Sequence, residues 1–252
     1  MRLYLIATTC LQDSYREFLK DRNLTWRESS ASSDAERLVE IAGRVCYLSF
    51  GDKQSAKTNA EYIANLVAQG HGSVLEHATF TVLADEISRA LSHQLVRHRV
   101  GFSYSQLSQQ YHDDISTDYV IPPELEGEKE AAVEWKAATD AARQAYAALT
   151  RQIADSKFGR HLTEKERMRA IRSLARTVLP NATATTLVIT GNARAWRHVL
   201  SLRGAIAGDP EMRRFSVGCL RLLEPVAPAL FDDFKFAKDE LGEYVLFDGR
   251  LL

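Results

Sequence analysis

Signals that start helices outnumber segments that read as strands, and this imbalance restricts the fold more than any other feature of the chain. Ser33-Asp34 precedes apolar positions Ala35, Leu38, Val39, Ala42 and Val45 at helical spacing. Thr58-Asn59 opens a helix that runs to Gln69 and stops at Gly70. Asp85 reads as the cap of a helix reaching about Arg99. After Pro122-Pro123, an Ala-, Glu-, Lys- and Arg-rich stretch predicts one long helix from about Glu128 to Asp155. Thr163 with Glu166 is a capping box for a helix ending before Pro180. Asn192 caps the next helix, and Asp209-Pro210 places proline at a first helical position. Strand character is confined to Met1–Thr8, Ala78–Ala84, part of Val100–Asp114, and Thr183–Thr190. The expectation is α+β, helix-rich, as a single domain over residues 1–252. No GxGxxG follows the first strand, so a dinucleotide-binding turn of that kind is not indicated.

Composition excludes several classes. The 252 residues carry 32 Lys+Arg against 33 Asp+Glu, a formal net charge of −1, where a general nucleic-acid coat needs a strong positive surplus. No apolar run approaches the roughly 18–20 residues of a membrane span. The opening residues turn polar too soon for a secretory leader, so a cytoplasmic protein is expected. Cys10, Cys46 and Cys219 are odd in number and far apart, which argues against a disulfide framework and a cysteine zinc site. Cys46 and Cys219 fall in helical patterns and are expected in the core, with Cys10 at the end of the first strand.

Four clusters carry chemistry. Arg89-x3-His93-Gln94-x2-Arg97-His98-Arg99 is either a solvated basic helix end, where cations suit the dipole, or a diphosphate cradle read by arginine forks. Ser103 to Tyr111 is uncharged and dense in hydrogen-bonding groups: a polar edge strand, or a wall for a planar polar ligand. Gly70-His71-Gly72-Ser73-Val74-Leu75-Glu76-His77 is a turn, or a place where glycines let backbone approach a ligand. Leu179-Pro180-Asn181-Ala182-Thr183 leads to Asn192-Ala193-Arg194-Ala195-Trp196 and Arg203, where capping alone would explain Asn192. A histidine metal site is disfavoured. His93 and His98 stand five apart, about 140° on a helix, and His71, Glu76 and His77 match no zinc spacing.

Taken together, Gly70-His71-Gly72-Ser73-x2-Glu76-His77, Arg97-His98-Arg99 with eight residues and then Ser108, Leu179-Pro180-Asn181-Ala182-Thr183 and Asn192-x-Arg194-x-Trp196 resemble the flavin-dependent thymidylate synthases. The similarity runs from Cys46 to about Phe234 in the family's order. The resemblance implies a mixed sheet with helices, in a homotetramer whose active sites are shared between subunits. It implies C5 methylation of a uridine monophosphate, with methylenetetrahydrofolate as carbon donor, FAD as hydride donor and NADPH as reductant. Small-molecule nucleotide and folate are then the partners, with neither nucleic acid nor membrane. By motif, Ser73, Arg97, His98, Arg99, Asn192, Arg194 and His198 would hold FAD, with His71 beside the flavin ring. Arg89, Gln94, Ser108, Gln109, Gln110 and Arg176 would hold the nucleotide, and Gln106 would serve both. Arg203 would bind the pyrimidine and act in catalysis; no cysteine nucleophile and no metal are implied.

Three departures from the family pattern stand out. Gln110 occupies a position where the family usually has arginine. Ala207 replaces a histidine in Gly204-Ala205-Ile206-Ala207-Gly208, and the spacer before Ser108 is one residue longer than in many members. They imply a specialised paralogue that accepts UMP as well as dUMP. A non-catalytic flavin- and nucleotide-binding protein is the competing reading.

Overall fold

The computed structural model describes every residue except 32, 56, 126 and 250–252. In chain order the regular elements are β1 (Arg2–Thr8), α1 (Tyr15–Asp21), α2 (Asp34–Tyr47), α3 (Asn59–Ala68), β2 (Thr79–Ser88), α4 (Arg89–Leu95) and β3 (Phe102–Gln106). There follow α5 (Lys129–Asp155), α6 (Glu164–Ala175), β4 (Ala184–Asn192), α7 (Ala193–Arg203), α8 (Pro210–Leu223), β5 (Phe234–Asp239) and β6 (Gly242–Phe247). Four strands form a sheet in the order β1-β2-β4-β3, and β5 and β6 form a separate antiparallel hairpin. The hairpin pairs Phe234 with Phe247, Phe236 with Val245 and Asp239 with Gly242. The mixed, helix-rich α+β expectation agrees with this architecture. Among the described residues, no helix is long and apolar enough to cross a membrane.

The chain divides into two compact units, whose boundaries cut through all four strands β1 to β4. The first comprises Met1–Arg2, Ala84–Arg97 and Ser105–Leu187, and so holds α4, α5 and α6. Its buried apolar residues include Ile87, Leu91, Leu95, Tyr146, Ile171, Ala175 and Leu187. The second comprises Leu3–Leu83, His98–Tyr104 and Val188–Leu252. Its core is built on Phe80, Leu75, Ile63, Trp196, Phe215 and Phe231, with Phe80 and Phe231 meeting edge to face at 5.9 Å.

Most helix starts follow the local chemistry. Ser33, Thr58, Thr163, Asn192 and Asp209 all accept a first-turn backbone N–H. Thr58–Glu61 and Thr163–Glu166 close complete capping boxes. Asp85 does not begin a helix. Its carboxylate accepts the Thr186 hydroxyl at 2.7 Å and pairs with Arg2, which keeps β2 extended to Ser88. Ser88 is the cap of α4, with Oγ accepting the Leu91 N–H at 2.9 Å. The helix ends at Leu95, so Arg97, His98 and Arg99 lie in the turn toward β3 rather than on a helix.

Cysteine placement needs one correction. Cys219 is buried, but Cys46 is exposed. The buried stripe of α2 is Ala35, Glu36, Val39, Glu40, Gly43 and Arg44, which leaves Val45, Cys46 and Tyr47 on the outer face of its last turn.

Candidate active site

The first unit gathers most of the residues expected to hold the nucleotide. α4 begins against the Leu179–Thr183 turn. Thr183 O accepts the Arg89 N–H and Asn181 O accepts the Ala90 N–H, both at 3.0 Å. That turn therefore supplies acceptors for the orphan donors of the helix start. Gln106, at the end of β3, donates from Nε2 to Ser92 Oγ at 2.9 Å and to Thr185 Oγ1 at 3.3 Å. Ser92 and Thr185 thus orient a predicted site residue, and the sequence reading missed both. A small hydroxyl one turn into α4 and another just past the Leu179–Thr183 turn were the available signals.

Arg89 donates from Nη2 to Leu107 O at 3.0 Å. Burial pulls its guanidinium below the ordinary arginine value, Asp114 opposes this, and the cation of Arg176 adds to it. The structure therefore brings Arg89 and Arg176 within each other's field. Four buried polar atoms here lack a hydrogen-bond partner among the described residues: Arg89 Nε, Arg172 Nε, Gln109 Nε2 and Asp114 Oδ2. Three are donors. Orphan buried donors are costly unless something rich in acceptors meets them, and a phosphate is such a group. Gln94 is half-buried on α4.

Ser108 starts a tight turn, its carbonyl accepting the N–H of Tyr111 and of His112. Gln110 faces α6: its Nε2 donates to Ser173 Oγ at 2.9 Å and its Oε1 accepts Arg169 Nε at 3.0 Å. Arg169 also lies over the Tyr111 ring, 5.8 Å from its centroid. Arg169 and Ser173 were not singled out in the sequence, because nothing local distinguishes them on a basic helix.

The second unit gathers most of the residues expected to hold the flavin. Gly101, at φ +75°, follows the Arg97-His98-Arg99 run. Its carbonyl accepts the Asn192 N–H at 3.1 Å, and a Cβ there would stand 2.7 Å from Asn192 Nδ2. Only glycine suits both that backbone conformation and that approach. Tyr104 Oη donates to His98 O at 2.8 Å, which fixes the backbone of the same turn. Burial drives the Tyr104 phenol well above its ordinary value, so it stays a donor.

α7 presents His198 and Arg203 to this turn. The His98 and His198 rings meet edge to face at 6.3 Å. Arg203 donates from Nε to His98 Nε2 at 3.3 Å. Burial, then Arg203, then His198 hold the His98 imidazole below the ordinary histidine value. The charged neighbours acting on His98 are therefore cationic, and a set of donors with no counter-charge among them suits a diphosphate.

Arg194 pairs with Glu76 at 2.7 Å, linking α7 to the 3-10 turn Gly72–His77. Glu76 is a second residue whose partner the spacing did not reveal. His71 precedes that turn and stacks on Tyr47 at 6.2 Å. Ser73, Arg97, Arg99 and His198 are exposed. Ala207 is also exposed, in the segment after α7.

Residues 29–229 match the family described as "Thymidylate synthase complementing protein". A flavin-dependent thymidylate synthase from Mycobacterium sp. (strain JLS) is 42% identical over 253 residues, covering 99% of this chain and 93% of its own. One from Mycobacterium avium (strain 104) is 42% identical over 238 residues, covering 94% and 91%. Among solved structures, a UMP/dUMP methylase, PolB, from Streptomyces cacaoi, bound with 5-Br dUMP, has a similar fold. Its TM-score is 0.63 at 20% identity, covering 92% of this chain and 93% of that one. The whole-length identity and the family match together show that the chain belongs to the thymidylate synthase complementing protein family, the flavin-dependent thymidylate synthases.

Proposed function

We propose that this chain is an enzyme that methylates C5 of a uridine 5′-monophosphate, dUMP and UMP both being substrates, with methylenetetrahydrofolate as carbon donor. Bound FAD supplies the hydride, and NADPH restores it to the reduced state. The functional unit is one domain over residues 1–252, assembled as a homotetramer in the cytoplasm. Its partners are small molecules and its own copies, with neither nucleic acid nor membrane. The role is in nucleotide biosynthesis.

The chain's own residues divide the work. Ser73, Arg97, His98, Arg99, Asn192, Arg194 and His198 would hold FAD, with His71 beside the flavin ring. Arg89, Gln94, Gln106, Ser108, Gln109, Gln110 and Arg176 hold the nucleotide. The buried, unpartnered Nε of Arg89 and Nε2 of Gln109 support that assignment. Gln106 also borders the flavin, and Ser92 and Thr185 fix its amide. Arg203 would be the catalytic residue: its guanidinium, beside a carbonyl oxygen and N3 of the pyrimidine, would stabilise negative charge there and so favour the electron-rich ring whose C5 attacks. No cysteine takes part: Cys219 is sealed in the core with its thiol raised by burial, and Cys10 and Cys46 are exposed thiols to which the proposed reaction gives no role.

The observation that carries this reading is the meeting of the Arg97-His98-Arg99 turn with α7 through His98 and Arg203. The test is to incubate the full chain with FAD, NADPH, methylenetetrahydrofolate and either dUMP or UMP, and to identify products by mass. A C5-methyl product from both nucleotides is expected. Flavin and nucleotide binding without product would establish the non-catalytic alternative, and a hydroxymethyl product would overturn the reductive step.

A further inference from the structure

We propose that His98, besides any contact with the flavin, is a positioning residue for Arg203, its ring Nε2 accepting the Arg203 Nε–H and thereby fixing the plane of the guanidinium. This rests on the assignment of Arg203 to the pyrimidine. Arginine has five N–H donors in one rigid plane. With Nε committed to His98 at 3.3 Å, rotation about the Cδ–Nε bond is restrained, and both terminal amino groups face one direction. An acceptor at Nε2 exists only on a neutral imidazole. The surroundings keep it neutral: the ring is half-buried, and the charged or titratable groups facing it are Arg203 and His198, both from α7. From β3, Tyr104 reaches the His98 backbone carbonyl and does not touch the ring nitrogens through that bond. The backbone of His98 is thus anchored by one hydrogen bond while its ring is left to serve Arg203.

Protonation of His98 turns Nε2 into a donor and places a second cation against Arg203, so the bond breaks. Turnover is expected to fall on the acid side, below the ordinary histidine value of about 6.5. Asparagine in place of His98 offers a carbonyl acceptor that no accessible pH removes.

Two experiments test this. The first measures steady-state rates at saturating FAD and nucleotide across pH. His98→Ala is expected to lower kcat by about tenfold to a hundredfold, the usual result of a misplaced catalytic group, with a smaller change in the nucleotide KM. His98→Asn, which also gives up the imidazole, should still be faster than His98→Ala by about threefold or more and should lose the acid limb. The second is an NMR titration of histidine-labelled full-length protein with no nucleotide added, in which the His98 signal is identified by its loss in His98→Asn. Arg203→Ala removes both the donor and a repelling cation, so the His98 midpoint should rise while that of His161 stays fixed. A His98→Asn variant no faster than His98→Ala, an acid limb that survives in it, or a His98 midpoint indifferent to Arg203→Ala would each overturn the proposal. Failure to methylate any pyrimidine would instead count against the function assigned to Arg203, and the titration decides the His98–Arg203 pair independently.

Discussion

Gln110 shows how a single residue acquires its role from its neighbours. Both polar ends of its amide are taken by α6, through Ser173 and Arg169. In the proposed nucleotide site it would act through the volume it leaves open, since its hydrogen bonds are committed elsewhere. An arginine is longer, carries only donors, and would set a second cation beside Arg169 while removing the acceptor that Gln110 Oε1 offers it. We expect the natural protein to methylate UMP measurably. Gln110→Arg should shift the ratio of kcat/KM values toward dUMP, because the added bulk falls on the larger sugar. An unchanged ratio in the two proteins would remove Gln110 from sugar selection.

At the scale of elements, α7 has two jobs that separate experimentally. Its first turn is seated by Asn192, whose Oδ1 accepts the Ala195 N–H at 2.8 Å. The same helix delivers Arg194, His198 and Arg203. Asn192→Asp keeps the cap, and its charge favours the helix start; it also sets a carboxylate where a diphosphate is proposed to bind. Asn192→Ala should cost about 1 kcal/mol in denaturant unfolding. Asn192→Asp should leave stability within a few tenths of a kcal/mol of the natural protein while weakening FAD binding. If Asn192→Asp binds FAD as well as the natural protein does, Asn192 is a cap and nothing more. Asp85 illustrates the opposite case, in which a good capping residue is drawn away by Thr186 and leaves the helix start to Ser88 three residues later.

At the scale of the molecule, the second unit is tied together by buried charge. Arg44 and Glu40 are fully buried and pair at 2.7 Å. Asn59 Nδ2 donates to Glu40 Oε2 at 2.7 Å, and Arg44 Nη1 donates to Ser49 O at 3.1 Å. Glu36 Oε1 accepts the N–H of Ala229 at 2.7 Å, joining segments 193 positions apart. The Arg44 guanidinium also lies over the Tyr62 ring, 4.5 Å from its centroid. Removing one partner strands the other charge away from water, so Glu40→Ala should lower unfolding stability by about 3–5 kcal/mol. Replacing Glu40 and Arg44 together by Met should cost far less, or even stabilise, because no charge is then left buried alone. Equal losses in the single and double variants, measured by denaturant unfolding, would show that the pair is not what the stability depends on.

The sequence by itself determined the features set by neighbours within a few positions. Five helix starts, both capping boxes, the long α5 and the helix-rich α+β class follow from residues within one turn of each other. The ordered run of site motifs also identified the family before any coordinate was known. Features set by partners far along the chain were decided only by the tertiary structure. The β5–β6 hairpin and α1 carried too little periodic contrast to be read in advance. The buried face of α2 holds the expected Ala35 and Val39 but also Glu36, Glu40 and Arg44, because Glu40 pairs with Arg44 and Asn59 and Glu36 accepts the Ala229 N–H, while Val45 of the apolar pattern is exposed. The bond from Arg203 to His98 and the capture of Gln110 by α6 join residues dozens of positions apart, at distances that sequence spacing does not encode.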